Sequence, residues 1–206
     1  GDGGARAEDV DRHPRRDHAF TSPLPELTVS LGIPNACNRC HADRDAKWAA
    51  EWHEKWYGRK DRPAVRRAAV VAAGREGRRE SVPDLAGLLQ DPALAPIWRA
   101  SAASLLGAWA GDGAEAFRAL EQAAGDREPL VRARVARALG SAPEVARRRL
   151  LPPLLRDPVR VVRIDAAWAL RGVTDRSLAP ADAEALDRAL AEYRDAALYS
   201  ADSPAG

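Results

Sequence analysis

Methionine is absent from the 206-residue sequence, and only two cysteines are present. The chain therefore has no thioether side chain to offer a metal and cannot form a framework of several disulfides. It also has no run of 18 apolar residues, which excludes a predicted membrane-spanning helix. The sequence shows no signal peptide, but because it starts at Gly1 and contains no methionine, we expect that a leader or a longer N-terminal region has been removed or left out.

The chain also has little net charge and few aromatic side chains. Lys and Arg total 32 against 30 for Asp and Glu, and a net charge of +2 does not favour nucleic acid or an anionic membrane as partner. Aromatic residues make up 5% of the chain, and the apolar share of 46% is carried largely by alanine and leucine. Since these two residues favour helices over strands, we predict an all-α protein.

Both cysteines lie in one motif, Cys37-Asn38-Arg39-Cys40-His41. This spacing is typical of a c-type haem attachment site. On a helical turn, thiols at i and i+3 project from the same side and can bond two vinyl groups at one porphyrin edge, and a histidine at i+4 can reach the iron. We therefore predict one covalent haem c on Cys37 and Cys40, with His41 as the proximal iron ligand.

Other interpretations of this motif stay open. A redox-active dithiol would need a βαβ context, and the sequence has no such pattern. A zinc site would need two further ligands, which His13, His18 or His53 can supply. A chance occurrence is the third alternative.

The residues before the motif are rich in glycine at first and then in proline. Residues 1–12 are glycine-rich and predicted to be a disordered lead-in, and residues 13–58 form the predicted haem-binding segment. Pro23 and Pro25 predict an extended arm over residues 21–27, which can wrap a cofactor.

A helix is predicted after the motif, from Asp43 to Tyr57, with Gly58 as its C-terminal stop. Three tryptophans recur every four residues along one stripe of this helix: Trp48, Trp52 and Trp56. We interpret the stripe as core packing, and the wall of a cofactor site is the alternative.

Beyond Gly58 the chain repeats itself. Alanine-rich segments begin at Arg66, Arg99, Arg132 and Arg163, at offsets of 33, 33 and 31 residues. A period of this length predicts an α-solenoid of stacked helix pairs, here over residues 59–175. The apolar first helices of the pairs are predicted at Val82–Gln90, Ala114–Ala124 and Val145–Arg156.

An aspartate lies at each predicted turn of the solenoid: Asp61, Asp91, Asp126 and Asp157. The arginine that follows each turn is placed to pair with the aspartate of its own or a neighbouring unit. We predict an internal Asp/Arg ladder, and a basic binding ridge is the alternative. Alanine is expected in the second helices because stacked helical layers approach closely.

The repeating pattern Asp-(Pro)-x-Val-Arg-x-x-Ala-Ala-x-Ala-Leu-Gly, clearest in Asp157–Leu170, resembles the HEAT repeat over residues 60–173. Residues 176–206 are predicted to form a capping helix, Pro180–Ser200, and a tail. The spacing of Ala189, Tyr193 and Ala196 in that helix resembles the second helix of a tetratricopeptide unit.

Several elements together resemble the C-terminal part of bacterial multihaem c-type cytochromes that carry HEAT and tetratricopeptide repeats. They are Arg15–Phe20, Pro25–Leu27, Gly32–Asp43, Trp56–Gly58 and the repeats. The resemblance implies haem on the two cysteines, His41 as the proximal ligand and His18 as an axial ligand of this or a neighbouring haem. His53, His13 and an open or externally supplied sixth site are the alternatives to His18. Such cytochromes have several haem motifs and this chain has one, so further haems are expected upstream, on a partner, or lost.

These patterns predict a c-type cytochrome subunit that transfers electrons through one haem and docks through its solenoid onto other redox proteins in a larger assembly. The alternative is a structural or scaffolding subunit in which the haem, or a zinc at the same cysteines, only stabilises the fold. An enzyme is the third alternative: the sequence has no catalytic triad, phosphate loop or paired carboxylates, and an open haem site that binds a small ligand is the form it would take. Because c-type haem is attached outside the bacterial cytoplasm, a periplasmic or extracytoplasmic location is expected.

Overall fold

The structure, a computed structural model, describes residues 23–58, 62–173 and 178–201. Every regular element in these ranges is a helix, which confirms the predicted all-α class. No helix among the described residues is long and apolar enough to cross a membrane. The chain divides into two compact units, with the boundary after Lys60 and with the last helix assigned to the second unit through Ala197.

The helices of the first unit are α1 (Pro25–Leu31), α2 (Ala36–Cys40) and α3 (Ala46–Tyr57). Those of the second are α4 (Pro63–Arg75), α5 (Val82–Gln90), α6 (Pro96–Leu106), α7 (Ala114–Ala123), α8 (Pro129–Ala138), α9 (Glu144–Leu150), α10 (Arg160–Ala169) and α11 (Pro180–Ala201). Short 3₁₀ helices over residues 79–81, 107–109, 139–141 and 152–156 join some of them.

The extended arm predicted for residues 21–27 is wrong from Pro25 onward, because α1 begins there. Proline is compatible with the first turn of a helix, since its missing N–H has no partner at that position. Leu24 keeps a non-helical backbone, as expected for a residue before proline. The helix ends at Gly32, whose φ of 68° is the left-handed conformation that glycine adopts at low cost.

The predicted first helix Val145–Arg156 is also wrong in part. It is broken at Leu151 into α9 and a 3₁₀ helix over residues 152–156. Pro152 and Pro153 cause the break, because a proline inside an α-helix removes a backbone hydrogen bond and clashes with the preceding turn. The predicted helices at Val82–Gln90 and Ala114–Ala124 agree with α5 and α7 to within one residue.

The second unit is a solenoid whose second helices stack on one another. Helix α6 packs against α8, and α8 packs against α10. The buried side chains along these helices are largely alanines, as predicted: Ala100, Ala102, Ala103, Ala133, Ala136, Ala138, Ala166, Ala167 and Ala169. Leucines from the first helices, such as Leu85, Leu89 and Leu120, fill the space between the layers.

A glycine closes the second helix of successive repeats where it approaches the next one. A Cβ atom on Gly107 would lie 3.1 Å from both Cα and Cβ of Ala138. A Cβ atom on Gly140 would lie 3.4 Å from Cα of Ala169. Because these neighbours are backbone and adjacent atoms of a packed helix, the glycines set the spacing between repeats.

We expect Gly107→Ala to lower the free energy of unfolding by about 1–3 kcal/mol, because the added methyl group overpacks the contact with α8. Gly87→Ala is the matched control, since Gly87 lies inside α5 and its Cβ would meet no atom within 4 Å. That change should raise the free energy of unfolding by about 0.5–1 kcal/mol through helix propensity. Urea denaturation of both variants measures the difference, and equal effects of the same sign would contradict the proposed packing.

The predicted Asp/Arg ladder is confirmed at two turns. The Arg99 guanidinium forms a double ion pair with Asp126, and both side chains are buried. Arg132 likewise pairs with Asp157, with Nε 2.7 Å from Oδ2 and Nη2 3.1 Å from Oδ1. In each pair the arginine of one repeat binds the turn aspartate of the next, so the ladder joins neighbouring units. Asp61 lies outside the described residues.

The next arginine in the series has a different partner. Arg163 pairs with Glu192 of α11, with Nη2 2.8 Å from Oε1. It also donates through Nη1 to the carbonyl of Asp157, 2.8 Å away. The Glu192 carboxylate holds the pKa of Arg163 above its ordinary value. The ladder therefore continues into the last helix through a glutamate.

Candidate functional site

The two cysteines lie on α2, a helix of five residues whose ends are fixed by hydrogen bonds. Asn35 caps its start, with Oδ1 accepting from the backbone N–H of Asn38 at 3.2 Å. At its end the His41 backbone N–H donates to the carbonyl of Cys37, 3.0 Å away. Both cysteines are free thiols, with Cys37 half-buried and Cys40 exposed. The motif thus forms the predicted helical turn.

An amide network ties this turn to the helices on either side. Asn35 Nδ2 donates to Thr28 Oγ1 of α1 at 2.7 Å and to Asn38 Oδ1 at 2.8 Å. Asn38 Nδ2 in turn donates to the carbonyls of Arg44 and Asp45, at 2.9 and 3.2 Å, just before α3. Asp45 caps α3 by accepting from the backbone N–H of Trp48 at 2.8 Å. The network fixes the motif relative to both neighbouring helices.

The sequence analysis did not identify this role for the two asparagines. Asn38 occupies one of the two variable positions between the cysteines, where the haem motif places no demand on residue type. Asn35 is buried, with 8% of its surface exposed. The only signal in the sequence was an asparagine three residues before another at a predicted helix start, which is a capping pattern.

The motif faces a cavity of about 220 Å³ between α2 and α3. Its walls are formed by Pro23, Ala36, Cys37, Cys40, His41, Trp48, Ala49, Trp52, His53, Trp56 and Tyr57. Both thiols and the adjacent imidazole therefore line the same space as four large aromatic side chains. An apolar cavity with a few polar groups at one edge is the usual form of a cofactor site.

The interpretation of the tryptophan stripe as core is wrong. All three tryptophans line the cavity, and Trp56 is 66% exposed. The His41 ring lies 4.9 Å from the Trp48 ring, measured between centroids. The alternative interpretation, the wall of a cofactor site, agrees with these positions. The buried residues of α3 are instead Ala49 and His53, and this helix packs against α1.

Of the candidate second axial ligands, His53 is the one within the described residues. It lines the cavity and is 5% exposed, and its ring centroid lies 4.9 Å from that of Tyr57. His18 and His13 lie outside the described residues. The structure thus brings His53 to the same cavity as Cys37, Cys40 and His41, and the prediction for His18 stays a prediction.

The arrangement of donors bears on the alternatives to haem. No group of three or more Cys, His, Asp or Glu side chains within residues 23–58, 62–173 and 178–201 could hold a metal ion. A four-ligand zinc site would therefore need at least two ligands from outside these ranges, such as His13 and His18. A thioredoxin-like dithiol would need a strand beside α2, and the part of the chain that the structure describes contains helices alone.

The residues present fit a covalently bound haem. Covalent attachment uses two thiols on one side of a helical turn, which α2 supplies, and iron ligation uses an imidazole one residue further on, which His41 supplies at the end of this helix. The aromatic wall on α3 supplies apolar surface opposite the thiols. No carboxylate lines this cavity, so the local chemistry does not favour a hard cation such as calcium.

A family model for HEAT repeats matches residues 93–171, which include α6 to α10. The helical-repeat part of the predicted resemblance is therefore confirmed. The match begins beyond the haem motif, and the cytochrome part of the resemblance stays a prediction. No curated protein matched the chain.

Proposed function

We propose that this chain is a c-type cytochrome subunit that transfers electrons and docks through a HEAT-repeat solenoid onto other redox proteins. In this proposal haem c is attached to Cys37 and Cys40, and His41 is the proximal ligand. The observation that carries it is the cavity in which both thiols, that imidazole and four aromatic side chains meet. The bound haem would supply a one-electron iron couple. We propose no enzymatic reaction for this chain.

The side chains around the cavity each have a role in this proposal. Asn35 and Asn38 hold α2 in place, so the two thiols keep a fixed separation and direction. Trp48 packs against the His41 ring and restricts its orientation. Trp52 and Trp56 exclude water from the site, which matters because burial around a redox centre sets its potential. The absence of methionine leaves a second imidazole as the expected sixth ligand from this chain.

The solenoid supports the second half of the proposal. Solenoids of stacked helix pairs present extended surfaces that commonly bind other proteins. The helix pairs here occupy most of the described chain, and the family match covers residues 93–171. A single haem does not need a scaffold of this length for its own binding. We propose that the partners are redox proteins, outside the cytoplasm.

Extraction of the purified chain with acidified acetone tests the proposal. We expect the colour to stay with the polypeptide, because thioether bonds survive this treatment, and a pyridine haemochrome spectrum to give one haem c per chain. Cys37→Ala with Cys40→Ala is the matched control and should yield a colourless protein with an intact solenoid. If haem is extracted, or if metal analysis finds zinc without iron, the proposal is wrong.

A further inference from the structure

Trp168 of α10 lies between two arginines. The guanidinium carbon of Arg137 is 3.5 Å from the centroid of the Trp168 ring, and that of Arg171 is 3.2 Å from it. A guanidinium can approach a ring centroid this closely only along the ring normal, so the two cations lie on opposite faces of the indole. This stack fixes two positive charges at one place on the solenoid.

A buried carboxylate lies beside the stack. Asp165 is 6% exposed, and its Oδ1 accepts from Arg137 Nη1 at 3.3 Å. Its Oδ2 is 3.8 Å from Arg134 Nη1 and accepts no hydrogen bond. Burial raises the pKa of Asp165, although Arg134 and Arg137 act in the opposite direction. We call Arg134, Arg137, Asp165, Trp168 and Arg171 the Arg–Trp cluster.

The cluster carries more positive than negative charge. It contains three arginines and one carboxylate, and Arg134 and Arg137 are 42% and 40% exposed at their side chains. Within the described part of the chain, both form their ion pairs with Asp165. Arg147 adds a fourth guanidinium nearby, since its Nη1 donates to the carbonyls of Ala169 and Arg171 at 3.1 and 3.3 Å. Exposed cations remain for an outside partner.

Stacking of the repeats does not account for these residues. The positions of Arg134 and Arg137 in α8 correspond, 33 residues earlier, to Ser101 and Ser104 in α6. Each of those serines bonds a carbonyl of its own helix, so the repeat folds without a cation there. The ladder arginines instead occur at the same position in every repeat. The Arg–Trp cluster is therefore specific to the last two repeats.

An exposed apolar row lies on the same face of the same helices. Ile97, Leu130 and Val161 occupy equivalent positions at the start of α6, α8 and α10, and they are 60%, 38% and 43% exposed. Leu130, Arg134 and Arg137 are spaced i, i+4 and i+7, as are Val161, Asp165 and Trp168. Residues at this spacing share one helix face. The apolar row and the cluster thus form one continuous surface.

From this surface we infer that the second-helix face of the solenoid binds an acidic segment of a partner protein. The carboxylates of the segment would meet Arg134, Arg137 and Arg171, and its apolar side chains would pack on Ile97, Leu130 and Val161. The apolar row favours a protein over nucleic acid, which offers phosphates but few apolar groups at such a spacing. Tryptophan and arginine are also the residues that most often dominate binding energy at protein interfaces. This inference does not depend on the haem.

A random 16-residue peptide library displayed on phage tests the inference, with the full chain immobilised. Enriched peptides should carry Asp or Glu beside Leu, Ile or Val, and a synthetic copy of the best one should bind in solution. Arg134→Ser with Arg137→Ser and Asp165→Ser should weaken that binding about tenfold or more, because the cations are lost. Serine is the residue that α6 has at the equivalent positions, Ser101 and Ser104. Because Asp165 is replaced together with the two arginines, no buried carboxylate is left without an ion-pair partner.

Arg118→Ser is the control, since Arg118 is an exposed arginine on α7 whose Nε donates to the carbonyl of Ala114. It should leave peptide binding unchanged. Arg171→Gln, which keeps the Asp165 ion pairs, provides a second test of the cluster and should also weaken binding. The inference is wrong if the enriched peptides are not acidic or if they bind the triple variant as tightly as the parent chain. Tighter binding of a mixed-sequence DNA duplex through the same arginines would overturn it too.

Discussion

Replacement of Arg132 by methionine should lower the free energy of unfolding by about 3–5 kcal/mol, because it leaves the carboxylate of Asp157 buried without its partner. The side chains of Arg132 and Asp157 are 14% and 7% exposed. The loss is larger than for a surface ion pair, which contributes about 0–1 kcal/mol. Urea denaturation followed by circular dichroism measures it.

The pH dependence of this loss identifies its cause. Burial acts to raise the pKa of Asp157, but the hydrogen bonds from Arg132 and from the backbone of Val159 outweigh it and hold the pKa below its ordinary value. The pair therefore stabilises the fold above the unfolded-state pKa of an aspartate, about 3.9, and this contribution is lost as the pH falls through the lower folded-state pKa. Without Arg132, burial favours the neutral acid, so the deficit of the variant should shrink as the pH falls.

Two further variants separate the buried charge from the loss of packing. Arg132→Met with Asp157→Asn removes both charges and keeps the side-chain oxygen that accepts from the Val159 N–H at 2.9 Å, and it should recover most of the lost stability because no unpaired carboxylate remains. Arg118→Met removes an exposed arginine outside the ladder and should change stability by less than about 0.5 kcal/mol. A deficit of Arg132→Met that is small, or that does not depend on pH, would contradict the ladder as the link between repeats.

The repeats were predictable because similar sequences recur at a nearly constant spacing and fold into similar helix pairs. The offsets of 33 and 31 residues place arginine and alanine at equivalent positions, with an aspartate turn ahead of each arginine, and Arg99 and Arg132 form equivalent ion pairs in the structure. The two errors in the predicted elements occur at prolines, where the local sequence is compatible with more than one backbone conformation. Pro25 can start a helix as well as prolong an extended segment, and the pair Pro152-Pro153 breaks a helix that the apolar pattern alone would continue.

The site was predictable in its reactive residues and not in its supporting ones. The spacing of Cys37, Cys40 and His41 indicates a chemistry, so the motif alone identifies them. Asn38 makes its bonds to carbonyls six and seven residues away, and no periodicity indicates such a contact. The tryptophan stripe has the same spacing whether it fills a core or lines a cavity. Only the position of α2 beside α3 distinguishes these two cases.

The Arg–Trp cluster could be predicted from the sequence only in part. Its residues depart from the repeat pattern, and the departure from Ser101 and Ser104 to Arg134 and Arg137 is visible in the sequence. The sequence does not predict that Arg137 and Arg171 stack on Trp168. Arg137 lies near the end of α8, whereas Trp168 and Arg171 lie at the end of α10 in the next repeat. Aligning the repeats and marking exposed positions that break the pattern would have found them.

His18→Ala should convert a low-spin haem spectrum into a high-spin one and open the iron to carbon monoxide. With no methionine in the chain, the second axial ligand from this chain is expected to be an imidazole. His18 is the predicted one, by its place in the Arg-Arg-Asp-His element ahead of the haem motif. Absorption and electron paramagnetic resonance spectra of the purified protein measure the change in spin state.

His53 supplies the decisive control, because its buried ring already lines the cavity. His53→Phe keeps an aromatic ring of similar size against Tyr57, so it should preserve the packing of α3 while removing a potential ligand. If His18 is the ligand, His53→Phe and His13→Ala both retain the low-spin spectrum. A high-spin spectrum in His53→Phe together with an unchanged one in His18→Ala would make His53 the ligand. The two axial ligands would then be His53 of α3 and His41, the residue that follows α2.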